Sequence, residues 1–227
     1  MQSNSPVIER TRGQSIEVNK VLKNTYLLLS ATLLFSGAMA GVAMALNVGF
    51  IPFWAYLIGL FGMTFLIHKT ANSAMGIVMT FVFTGFLGFY AGPIINYYVS
   101  TGGANIVVQA LAGTGLIFFA LSGYVLKTKK DFTFMRGFLF TGVTVVFFAI
   151  IFYYIGSAFF GLHISGFSLA ISAICVILMS AFILYDTSSI IRGEETNYVL
   201  ATVSMYMNIY VLFMHLLNLL SALSGDD

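Results

Sequence analysis

The chain alternates long apolar runs with short polar interruptions. A hydrophilic stretch, residues 1–24, comes first, and apolar segments follow at 25–46, 50–67, 74–95, 104–126, 137–156, 165–187 and 198–223. Each approaches the roughly 20 residues that carry a helix across about 30 Å of hydrocarbon, and 50–67 is the shortest. The pattern predicts an all-α membrane protein of seven transmembrane helices. A hydrophilic tail over 1–24, read as unstructured, precedes one membrane domain over 25–223 and a short C-terminus over 224–227. The connections are too short to hold another folded domain.

Composition supports this reading. Of 227 residues, 59% are hydrophobic and 8% charged, whereas a soluble domain carries about 25% charged residues. So few charges cannot cover a water-exposed surface, and lipid must solvate much of the protein. The net charge of +2 gives no electrostatic footprint for nucleic acid, and no such partner is expected. The single cysteine, Cys175, excludes an intrachain disulfide and sits among apolar neighbours as a core residue. The first 24 residues contain no short apolar run ending in a small-residue cleavage site, so the first spanning helix is expected to direct targeting.

The basic residues orient the chain. Arg10, Arg12, Lys20 and Lys23 lie in the tail, Lys69 follows the second segment, Lys127, Lys129, Lys130 and Arg136 follow the fourth, and Arg192 follows the sixth. The alternate loops carry none. The positive-inside rule places the N-terminus and these connections in the cytoplasm. Seven crossings then put Asp226 and Asp227 outside, with the last segment the weakest link in that count.

Close packing of apolar helices in lipid relies on small residues. Gly37 and Gly41 make a GxxxG step in the first helix, and Gly85, Gly88 and Gly92 a small face on the third. Internal packing is the expected use of both. Pro93 directly after Gly92 is expected to break or kink its helix. In the sixth segment Ser165, Ser168, Ser172, Cys175, Met179, Phe182 and Asp186 recur at helical spacing. In the seventh, Ser204, Asn208, Val211, His215 and Asn218 do the same. Lipid penalises such stripes, so the two should face each other. One reading is interhelical hydrogen bonding, worth roughly 1 kcal/mol per contact. The other is an ion or proton path through Asp186, the one carboxylate inside an apolar run. His68, His163 and His215 are scattered and show no metal-ligand spacing.

Catalytic chemistry finds no foothold. The chain has no H-E-x-x-H and no G-x-S-x-G. Tyr185–Asp186 has no second membrane-embedded acid with which to share a proton. No Gly-rich phosphate loop is present, and the last helix has no lysine for a Schiff base. The chain is read as a non-enzyme without a cofactor.

Four segments carry a family resemblance: Thr84-Gly-Phe-Leu-Gly-Phe-Tyr-Ala-Gly-Pro-Ile-Ile-Asn96, His68-Lys-Thr-Ala-Asn72, Tyr124-Val-Leu-Lys-Thr-Lys-Lys-Asp131 and Gly193-Glu-Glu-Thr-Asn-Tyr-Val-Leu-Ala-Thr-Val-Ser204. They resemble the Bax inhibitor-1 (transmembrane Bax-inhibitor-motif) family, with Gly88, Gly92 and Pro93 in its signature. The likeness is to its bacterial branch of FtsH-protease modulators. The resemblance implies a seven-helix bundle with the last helix central, in the bacterial inner membrane. It also implies two functions. One is inhibition of FtsH, alone or with its membrane regulators, by a chain that is itself an FtsH substrate; Arg10, Arg12 and Lys20 mark the candidate handle. The other is a pH-sensitive calcium (Ca2+) leak gated by an aspartate pair. Asp186 matches the first of that pair, Asn208 stands where the second would be, and Lys69 falls near a basic partner. Asn208 departs from the pattern and weakens the leak reading, because an amide cannot ionise.

Overall fold

A computed structural model describes residues 5–225, with side chains from Ile16 onward. The described residues form helices α1 (Ser5–Ala45), α2 (Phe53–Thr70), α3 (Ala74–Ser100), α4 (Ala104–Thr128), α5 (Arg136–Phe160), α6 (Phe167–Arg192) and α7 (Tyr198–Ser224). A 3-10 turn, Thr133–Met135, leads into α5. All seven predicted segments are helical. Six of the helices, all but α2, are long and apolar enough to cross a membrane, so this is a multi-pass membrane protein. At 18 residues α2 spans about 27 Å, and its last turn carries His68 and Lys69. The marginal segment is therefore the second; the last, at 27 residues, is ample.

The hydrophilic stretch read as an unstructured tail continues α1, which starts at Ser5 rather than near residue 25. Pro6 stands in the first turn, where its missing N–H costs no helical bond. From Val21 onward the helix already has a buried face.

Two compact units divide the chain. The first reaches to Gly102 and adds Ser189–Tyr206; the second comprises Gly103–Ser188 and the chain from Met207.

In the first unit, Val21, Thr25, Leu29, Thr32, Ser36, Ala40 and Ala43 are buried on α1. Their spacing of three and four places them on one face. The glycine face of α3 lies against it. A Cβ at Gly88 would strike the Ser36 carbonyl, one at Gly92 would stand 2.5 Å from the Ala43 Cβ, and one at Gly85 2.6 Å from the Phe35 ring. Gly37 and Gly41 do not pack internally as expected: nothing lies within 4 Å of a Cβ at either position. Each follows a buried residue, Ser36 or Ala40, and is turned about 100° away from the seam. Residue numbers rise together along the α1–α3 contact, so these helices are parallel. In α2, Tyr56 meets Tyr90 at 4.5 Å between ring centroids and Gly59 meets Phe86, so α2 runs antiparallel to α3. Pro93 does not break α3, which continues to Ser100. The residue is buried, and the close contacts at Gly88 and Gly92 hold the turn before it.

In the second unit α5 runs antiparallel to α6. A Cβ at Gly142 would lie 2.6 Å from Leu178, and Tyr153 stacks on Phe167 at 4.0 Å. Only 6% of the most apolar window of α5 is buried, which leaves Phe147, Phe148, Phe152 and Phe159 exposed for lipid.

Candidate functional site

The polar residues of α6 and α7 meet in the second unit. Asn208 Nδ2 donates to Asp186 Oδ2 at 2.7 Å, and both residues are buried, at 8% and 6% exposure. A charge-assisted hydrogen bond of this length, shielded from water, suits a carboxylate held by a neutral donor. It leaves no second acid at the bond with which to share a proton. Beside this pair, Thr187 Oγ1 lies 3.3 Å from Ser122 Oγ on α4. Ser188 Oγ accepts from Phe132 N at 3.0 Å and donates to Lys130 O at 3.4 Å, tying the α4–α5 turn to the end of α6.

Farther along the seam, Asn218 Nδ2 donates to Ser172 Oγ at 2.8 Å and to Ser168 Oγ at 3.0 Å. Ser172 Oγ also lies 3.0 Å from His215 Nδ1. The α6 and α7 stripes thus face each other through Asp186, Ser172, Ser168, Asn208, His215 and Asn218. Ser165 lies in the turn before α6, and Ser204 is exposed; near Ser204 the buried face of α7 is carried by Thr202, Met205 and Tyr206. Cys175 is buried, as its neighbours implied.

The other candidate residues lie in the first unit. Lys69 is exposed, with its ammonium 4.6 Å above the Phe65 ring. Lys20 is exposed on α1. Arg10 and Arg12 fall outside the residues with described side chains. Among the described residues, no group of three or more His, Cys, Asp or Glu could hold a metal ion.

The sequence reading missed a second set of polar contacts in this unit. Tyr206 OH donates to Thr84 O at 3.2 Å and lies 2.5 Å from Ser36 Oγ. Since the phenol has one proton, Ser36 is the donor in that second bond. Asn197 Nδ2 donates to Ala71 O at 3.2 Å and Asn72 Oδ1 at 2.8 Å. Its Oδ1 accepts from Val199 N at 2.9 Å and Leu200 N at 3.2 Å, which makes it the N-cap of α7. An asparagine directly before an apolar run was the available signal for that cap. Nothing local marked its bond to Asn72. Two of the segments that carry the family resemblance, around Asn72 and Asn197, therefore touch, and Thr84 opens a third.

Comparison with known proteins follows the same lines. The sequence model described as inhibitor of apoptosis-promoting Bax1 matches residues 18–225. The chain is 43% identical over 215 residues to the modulator of FtsH protease YccA of Escherichia coli K12, covering 95% of each chain. It shows the same identity and coverage to the inner membrane protein YccA of Escherichia coli O6:H1. It is also 43% identical over 228 residues to a membrane protein of Vibrio cholerae serotype O1, covering 99% of this chain and 100% of the other.

Proposed function

The chain belongs to the Bax inhibitor-1 family, and on that premise we propose that it binds and inhibits the ATP-dependent membrane protease FtsH. We propose further that FtsH degrades it, entering at the N-terminal end. One observation carries the reading: 43% identity over 95% of both chains with a protein named for modulating that protease. The form of α1 supports the entry point. Its apolar part, residues 25–45, is about 32 Å long and by itself matches the hydrocarbon thickness. The helix begins at Ser5 and therefore reaches past the bilayer on its N-terminal side, with Arg10, Arg12 and Lys20 preceding in sequence the buried face that starts at Val21. The proposed setting is the bacterial inner membrane, with the N-terminus cytoplasmic and the C-terminus periplasmic. The central place that the family implies for α7 is supported by its burial, 61% of its most apolar window against at most 44% in the other five.

Co-purification from bacterial membranes tests the partner. FtsH, alone or with its membrane regulators, should come down with the full chain. A variant lacking residues 3–18 should still bind, persist longer in cells and slow turnover of other FtsH substrates. Absence of FtsH from the purified material would overturn the first proposal, and an unchanged half-life the second.

A cation leak is the second reading, favoured by one observation: a carboxylate buried in the apolar helix α6. The Asn208 amide that holds it counts against a proton-shared gate.

A further inference from the structure

The α4–α5 turn concentrates positive charge on a rigid frame. Lys127, Lys129, Lys130 and Arg136 are all exposed. Asp131, the one acid between them, accepts from Thr133 N at 2.9 Å and Thr133 Oγ1 at 2.8 Å, so its carboxylate braces the turn itself. Lys129 ends α4 in a left-handed conformation, φ 52°, and the Phe132–Ser188 bond anchors the far side. Phe132 packs 6.2 Å from the Tyr124 ring, and the Lys130 ammonium stands 5.6 Å over that same ring. A hydrogen bond to the Tyr124 side chain raises the Lys130 pKa above the ordinary lysine value.

One further feature points to an anion with apolar tails. Beside the charges, Phe134, Phe138 and Phe140 are 78%, 66% and 74% exposed. The charges call for an anion, and Phe138 and Phe140, within the span of α5, face hydrocarbon. A phospholipid would satisfy both.

We propose that the α4–α5 turn is an anionic-phospholipid site, in which Lys127, Lys129, Lys130 and Arg136 hold the headgroup phosphate and the acyl chains lie along Phe138 and Phe140. Native mass spectrometry of the full chain, offered equal amounts of phosphatidylglycerol and phosphatidylcholine with matched chains, tests it. Phosphatidylglycerol should be retained preferentially. Lys129→Gln/Lys130→Gln should lose up to about five-fold of that preference for each lysine removed. Lys20→Gln/Lys23→Gln, an equal change of charge on α1, should keep it. All three proteins should melt alike, since the replaced side chains are exposed. Equal retention of the two lipids would overturn the proposal, as would equal losses in both double variants, which would reduce the effect to net charge. Displacement of the lipid by inorganic phosphate would also overturn it, by making the site one for soluble anions.

Discussion

Asn208 holds Asp186 through an amide N–H that donates to the carboxylate at 2.7 Å. That bond leaves the carboxylate partnered whether or not a proton arrives, so the natural pair has little reason to respond to pH as a unit. In Asn208→Asp two carboxylates would stand at that separation in a low-dielectric seam, where both cannot ionise and one proton is shared. Calcium flux into proteoliposomes should then become pH-dependent between about pH 6 and 8, and Asp186→Asn on that background should abolish the dependence. A steep pH-gated flux through the natural chain would contradict the argument.

At the scale of elements, the α1–α3 seam is held by backbone proximity. Apolar side chains gain little from meeting one another in lipid, and close approach is what glycine permits. The two glycine sets make opposite predictions. Gly88→Ala drives a Cβ into the Ser36 carbonyl, which backbone cannot yield cheaply, and should destabilise the protein in detergent by about 1–3 kcal/mol. Gly37→Ala meets nothing within 4 Å and should be neutral or slightly stabilising, because alanine favours helix by up to about 1 kcal/mol. Thermal melts of the two variants side by side give the comparison, and equal losses would mean that the seam is misplaced. The seam also positions Tyr206 OH against Ser36 and Thr84, so the damage in Gly88→Ala should reach α7.

For the molecule as a whole, the short helix α2 governs the topology. It misses the length and apolarity that the other six helices reach, yet it must cross. Helices α1 and α3 are parallel, so the chain has to return between them, and antiparallel α2 is the only element that can bring it back. Without that crossing the basic residues of the N-terminal stretch and those of the α4–α5 turn would fall on opposite sides, against the positive-inside rule. Within the first unit, Asn197 of the α6–α7 connection bonds Ala71 and Asn72 of the α2–α3 turn. A Cβ at Gly193 would lie 3.4 Å from Val18 of α1, so three basic-side segments share one end. Reporters placed near Asn47 and after Asp227 should read as periplasmic, and one near Lys129 as cytoplasmic. A cytoplasmic reading after Asp227 would mean that one segment fails to cross.

Segment count and the glycine face of α3 were legible in the sequence. Hydrocarbon thickness demands apolar runs of a minimum length, and charge is costly inside them; both are local constraints that leave a one-dimensional trace. The stripes on α6 and α7 were legible for a related reason, since polar residues stand out where lipid forbids them. What only the tertiary structure decided is which face of each apolar helix meets protein. Lipid-facing and protein-facing sides are both hydrophobic, so periodicity did not separate Gly88, which packs, from Gly37, which does not. The extension of α1 through the hydrophilic stretch was equally hidden, because polarity does not distinguish a solvated helix from a coil. The bonds from Tyr206 to Ser36 and from Asn197 to Asn72 join residues 170 and 125 positions apart. Such partners are chosen by the packing of helices, and no local pattern of residues encodes them.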